Sequence, residues 1–209
     1  MKPSPFETPS DTSTPPFDAF LTQDSNPALA ARGFLQTARK ALAKNFAPGK
    51  AVTPLLRQTS DMVDSVLTRL WVEYVGEKSA AALIAVGGYG RGELFPQSDI
   101  DVLVLTREAP DADTAPQLEQ FVTSLWDTGL QIGHSVRTLA ECAELAKEDL
   151  TVVTTMMESR HLAGNTGLIK ALAEIIDPSK MWSPNDFIRG KLGEQQNRHD
   201  RYSNTEYAL

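Results

Sequence analysis

Asp99 and Asp101 stand one residue apart at the head of an apolar run, Ile100-Asp101-Val102-Leu103-Val104-Leu105. Just before them lies Gly87-Gly88-Tyr89-Gly90-Arg91-Gly92-Glu93, itself preceded by the apolar Leu83-Ile84-Ala85-Val86. Residues i and i+2 of a strand point to the same face. The two carboxylates therefore converge, and a hard divalent cation is the simplest group to hold them together. Glycine lets backbone N–H groups approach phosphate oxygens with no side chain in the way. Together these residues suit a site for a nucleoside triphosphate and its Mg2+, with the glycine turn toward the phosphates and the aspartate pair toward the metal. Arg91 can add positive charge through its planar fork. Glu93 can orient Arg91 or approach the metal, and Ser98 can donate to a phosphate or end the loop. The stretch lacks the Gly-Lys-Ser/Thr of a P-loop. It also differs from dinucleotide fingerprints, which open a helix, whereas this loop leads to Asp-x-Asp and a second strand.

The elements that would position these residues can be read from periodicity. Residues 83–86 and 100–105 are expected strands, the second apolar apart from Asp101 and so a buried central strand. Apolar residues at threes and fours predict a helix from Pro27 to about Lys44 and another from Pro54 to Val75. Residues 108–116 read as a loop, 116–128 as a helix, and Leu130–Arg137 as a third strand. On that strand Ile132, His134 and Val136 share one face, and Gly133, Ser135 and Arg137 the other. Thr138-x-x-Glu141 has the pattern of a capping box. Residues 139–163 then read as helices broken near Asp149–Thr151, with 166–176 as one more helix and a polar helical segment from Phe187 onward. The division expected is a disordered tail at 1–27, rich in Pro, Ser, Thr and Asp, a helical segment at 28–76, a core at 77–140 and a helical extension at 141–209.

Composition narrows the class. Of 209 residues, 41% are hydrophobic and 22% charged, ordinary for a globular protein. The net charge of −7 argues against broad binding of nucleic acid. A single cysteine, Cys142, rules out an intrachain disulfide framework. No apolar run approaches membrane-spanning length, so no membrane association is expected. No basic stretch followed by an apolar core marks a signal peptide, and the cytoplasm is the expected location.

Gly87-Gly88 through Asp99-Ile100-Asp101 resembles the signature of the DNA polymerase beta-type nucleotidyltransferase superfamily. The longer string, residues 87–101, resembles more closely the bacterial PII uridylyltransferase/uridylyl-removing enzymes. Residues 125–138, 149–164 and 198–207 extend the resemblance, which spans roughly residues 30–209. It implies an α/β (α+β) nucleotidyltransferase fold: a small mixed sheet flanked by helices, with helical additions at both ends. It implies transfer of UMP from UTP to a tyrosine of the PII nitrogen-regulatory protein, with Mg2+ and release of pyrophosphate. Gly87 and Gly88 would contact the triphosphate, and Asp99 and Asp101 would bind the metal.

Two departures qualify that expectation. Many superfamily members carry a third carboxylate on the following strand, where this sequence offers His134 and Ser135. His134, or an acid such as Glu158, could take that place, or two carboxylates could suffice. The resembling enzymes also carry a metal-dependent hydrolase domain and glutamine-sensing domains, for which 209 residues leave no room. His199-Asp200 reads as a chance dipeptide, and the last helix as one that packs on chain beyond Leu209. The alternatives are a non-catalytic module that binds nucleotide or PII, and transfer to another hydroxyl acceptor. Cys142 reads as a buried thiol, His161 as a helix-end residue, and Arg198, His199 and Arg201 as a solvated basic cluster.

Overall fold

The computed structural model describes residues 15–201 apart from 23, 25, 46–48 and 50. In chain order the elements are α1 (Phe17–Leu21), α2 (Pro27–Asn45), α3 (Val52–Tyr74), β1 (Ala82–Ala85), α4 (Gly87–Gly90), β2 (Ile100–Thr106), α5 (Thr114–Asp127), β3 (Ile132–Thr138), α6 (Leu139–Glu148), α7 (Leu150–Met157), β4 (Arg160–Gly164), α8 (Thr166–Ile175), α9 (Pro178–Met181) and α10 (Pro184–Arg201). The four strands form one mixed sheet in the order β3-β2-β1-β4. β1 runs antiparallel to β2 and to β4, while β3 runs parallel to β2 with Asp101 opposite Gly133. Among the described residues, no helix is long and apolar enough to cross a membrane.

Strand alternation divides the sheet between two cores. Leu83, Ala85, Ile100, Val102 and Val104 face α2, α3 and α5, where Trp71 and Phe121 meet edge to face at 5.1 Å. Ala82, Ile84, Leu103 and Leu105 face α6, α7 and α8. Burying each of the Val, Leu and Ile side chains among them stabilises the fold by about 1.5–3 kcal/mol, so the sheet is fixed from both sides. Thr138 ends β3 and starts α6 through the expected capping box: its hydroxyl accepts from the Glu141 amide at 3.2 Å, and the Glu141 carboxylate accepts from the Thr138 amide at 2.7 Å.

Three expectations change. Residues 160–163, read as the end of a helix, form β4, because pairing with β1 supplies ladder partners that local periodicity does not reveal. The glycine stretch is a single helical turn, α4, rather than an irregular loop. Within the expected tail, Phe17 belongs to α1 and is buried against Phe34, their ring centroids 5.4 Å apart. Residues 1–14 and 202–209 and the side chains of Arg198 and Arg201 lie outside the described residues, and with them the first half of the expected tail and most of the basic cluster.

Candidate active site

Asp101 occupies the one position on the second face of β2 that is not apolar: Leu103 and Leu105 beyond it are buried, while Asp101 is open to solvent. Its main chain is fixed by the sheet, with its carbonyl accepting from the Val86 amide at 3.1 Å. That bond brings the end of β1, and so the glycine turn, directly beside the carboxylate. Asp101 Oδ2 lies 4.0 Å from where a Cβ on Gly87 would be, and Oδ1 only 2.4 Å from where one on Gly133 would be. Glycine at 133 is thus a requirement of close approach, and the carboxylate fills the space a side chain would take. The cleft above has a volume of about 410 Å3. Asp101, Gly133, Ser135 and Arg137 form its sheet side, and Thr151 and Thr155 its α7 side.

The electrostatics of this corner are unbalanced. Desolvation, and then the charge of Asp99, hold the Asp101 carboxyl above the ordinary aspartate range. Asp101 is solvent-accessible as a residue, yet its carboxylate is tucked between two backbones, which accounts for the shift despite that exposure. Neither carboxylate has a hydrogen-bond or ion-pair partner among the described residues. Two unpartnered, adjacent carboxylates form a donor set that fits a hard divalent cation. Among the described residues no group of three or more His, Cys, Asp or Glu side chains is gathered for a metal. An ion at this pair would therefore complete its shell with phosphate oxygens and water, as Mg2+ commonly does.

The glycine turn is held from behind. Arg160 on β4 donates to the carbonyls of Tyr89 and Gly90, both at 3.3 Å, and to both carboxylate oxygens of Asp64 on α3, at 2.5 and 3.1 Å. The Tyr89 hydroxyl donates to the same Asp64 at 2.6 Å. Burial, reinforced by Asp64, pushes the Tyr89 phenol well above its ordinary pKa, so it remains a neutral donor. A Cβ on Gly90 would lie 1.7 Å from the Glu158 carbonyl oxygen, so the turn also packs backbone to backbone on the end of α7. The amides of Gly87 and Gly88, at the front of the turn, donate to no oxygen among the described residues. Asp64 and Arg160 were not legible as site residues, being 96 positions apart in sequence. Both side chains are half-buried, and no local pattern set them apart.

The remaining expected residues fall in different places. Arg91 lies over Gly88, but its guanidinium is engaged by Glu93 at 3.0 Å and by Glu158. Glu93 therefore orients Arg91, and Glu158 is an ion-pair partner. Ser98 is exposed and lines a separate apolar cavity of about 530 Å3 between α2, α3 and residues 94–98. The His134 ring packs edge-on to Trp126 of α5, at 6.0 Å between centroids. His161 is on β4 rather than at a helix end, its Nε2 3.2 Å from the Gly164 carbonyl. Cys142 is fully buried, its thiol pushed up to about 11 by desolvation.

Comparison with known proteins agrees with this geometry. Residues 69–155 match the family described as "Nucleotidyltransferase domain". Over 194 residues, 92% of its length, the chain is 42% identical to the "Bifunctional uridylyltransferase/uridylyl-removing enzyme" of Pseudomonas putida F1. It is 44% identical to the protein of that name from Azotobacter vinelandii and 41% to that from Stutzerimonas stutzeri, over the same share of its length. The chain spans 22% of the length of each of these relatives. The region formed around β1, the glycine turn and β2 thus matches the nucleotidyltransferase domain family, and the chain is similar over most of its length to the bifunctional uridylyltransferase/uridylyl-removing enzymes.

Proposed function

We propose that the chain transfers UMP from UTP to a tyrosine hydroxyl of the PII nitrogen-regulatory protein, releasing pyrophosphate. The observation that carries the reading is the meeting of the Asp101 carboxylate with the Gly87 backbone at one end of an open cleft. Similarity to enzymes named uridylyltransferases supports the choice of nucleotide. Asp99 and Asp101 would hold Mg2+, and the ion, when bound, neutralises charge on the transferring phosphate. The free amides of Gly87 and Gly88 orient the triphosphate, while Arg160 and Asp64 keep the turn that carries them in place. The tyrosine oxygen bonds to the α-phosphorus, the bond from that phosphorus to the bridging oxygen breaks, and pyrophosphate leaves. The phenolic proton passes to one of the two aspartates. Most of the rate enhancement comes from positioning and charge neutralisation. On this reading the chain acts in the cytoplasm, in nitrogen regulation.

The test is the intact mass of PII after incubation with the chain, UTP and Mg2+, with and without chelator. A UMP-sized gain that disappears with chelation is expected. An unchanged mass beside steady pyrophosphate release would replace PII with another hydroxyl acceptor. One observation favours a second reading, a module that binds without transferring: among the described residues no third acid is gathered with Asp99 and Asp101. UTP binding at saturating Mg2+ with neither product would select it.

A further inference from the structure

The cleft extends beyond the aspartate pair. From Gly133, beside Asp101, β3 takes two same-face steps through Ser135 to Arg137, roughly 13 Å at about 3.3 Å per residue. α7 follows the same cleft. Thr155 stands at the glycine turn, its Cγ2 3.6 Å from where a Cβ on Gly87 would be, and Asp149 caps the helix six residues earlier, roughly 9 Å away along the axis. Arg137 and Asp149 both line the cleft, away from the turn.

The arginines near this sheet differ in what already engages them. Arg91 is shared by two glutamates, and Arg160 is locked to Asp64. The Arg137 guanidinium has no hydrogen-bond or ion-pair partner among the described residues, although its charge is felt by Glu141 and Cys142. Asp149 uses Oδ1 to accept the amides of Thr151 at 2.7 Å and Val152 at 3.4 Å. Its other oxygen is not engaged among the described residues. A planar donor and an available acceptor thus line the part of the cleft left over when the turn and the aspartates hold the triphosphate.

We infer that Arg137 and Asp149 read the base of the nucleotide, Arg137 donating to O4 of uracil and Asp149 Oδ2 accepting its N3–H. This rests on the uridylyl-transfer reading. A uracil edge places a carbonyl acceptor beside an N–H donor, complementary to an arginine beside a carboxylate. Cytosine carries an amino donor at the same 4-position, which would face the donors of Arg137. The pair therefore selects UTP over CTP by leaving a polar group unmatched in the wrong nucleotide.

The test is calorimetric binding of Mg2+-UTP and Mg2+-CTP to the full chain, unmutated and as Arg137→Ala and Asp149→Asn. The Asn variant keeps a capping oxygen for α7 but turns the base-facing atom into a donor. The unmutated chain is expected to prefer UTP. Arg137→Ala should weaken UTP binding about tenfold or more, the scale of one charge-assisted hydrogen bond, and CTP binding much less. Asp149→Asn should weaken UTP binding in the same sense. Equal losses for both nucleotides would make Arg137 a phosphate contact and overturn the inference. So would no loss, or equal affinity of the unmutated chain for the two, and each of these results leaves nucleotidyl transfer standing. Failure of the unmutated chain to bind either nucleotide would remove the uridylyl-transfer reading, and base reading with it.

Discussion

The two faces of β2 serve opposite ends. On one, Ile100, Val102 and Val104 are all buried against α2, α3 and α5. On the other, Leu103 and Leu105 are buried, but the first position is Asp101, unpartnered and beside a second carboxylate. One strand thus completes a core on one side and gives up a core position on the other. That face opens into the cleft because an ionised side chain ends the apolar layer. Substitutions on the first face should change stability and leave the chemistry intact, while substitutions at the mouth of the second should do the reverse.

The largest effect is expected at the carboxylates themselves. Asp99→Asn and Asp101→Asn should each reduce transfer by at least ~10²–10³-fold, the scale of losing one preorganised charge-stabilising group. Initial rates of UMP incorporation measure this. On the opposite face, Leu67→Ala should cost about 2–5 kcal/mol of stability, because Leu67 is fully buried in the first core. Denaturant unfolding reads the loss, and turnover per folded molecule should hold. A transfer loss in Leu67→Ala at full folding would erase the distinction between the faces.

Gly133→Ala sharpens the comparison from within the cleft. Its new Cβ would stand 2.4 Å from Asp101 Oδ1, so the carboxylate must move while the strand keeps its register. A displacement of that size should lower transfer by about 10²-fold, with little change in the melting midpoint. The smallest effect concerns pH. Asp101 has a carboxyl raised on folding, first by desolvation and then by Asp99. Between the unfolded and the raised folded pKa the folded chain binds more protons, so stability falls as pH rises through that window. Melting of the nucleotide-free chain across the carboxylate range should show this decline, and Asp101→Asn should lack this residue's share of it.

What the sequence made legible follows from how local each signal was. β2 could be read because its apolar run is continuous and its acids are adjacent; the register that sets Asp101 opposite Gly133 decided the rest. The capping box at Thr138 is complete within four residues and emerged as expected. β4 was hidden because residues 139–163 read as helices from local pattern, and its strand form depends on β1, far away in the chain. The Asp64–Tyr89–Arg160 network was hidden for the same reason: each charge reads as surface until tertiary contact pairs and half-buries it. Arg91 sits beside the glycines in sequence, yet Glu158 from α7 takes part of its charge, which spacing could not show.

The most direct test of the division between the faces is to measure UMP transfer and the thermal midpoint on one preparation of Asp101→Asn at neutral pH. Lost transfer with an equal or higher midpoint is the predicted result, since the substitution removes a charge that folding disfavours and no contact that folding needs. Retained transfer, or a midpoint lowered as far as that of Leu67→Ala, would contradict the account.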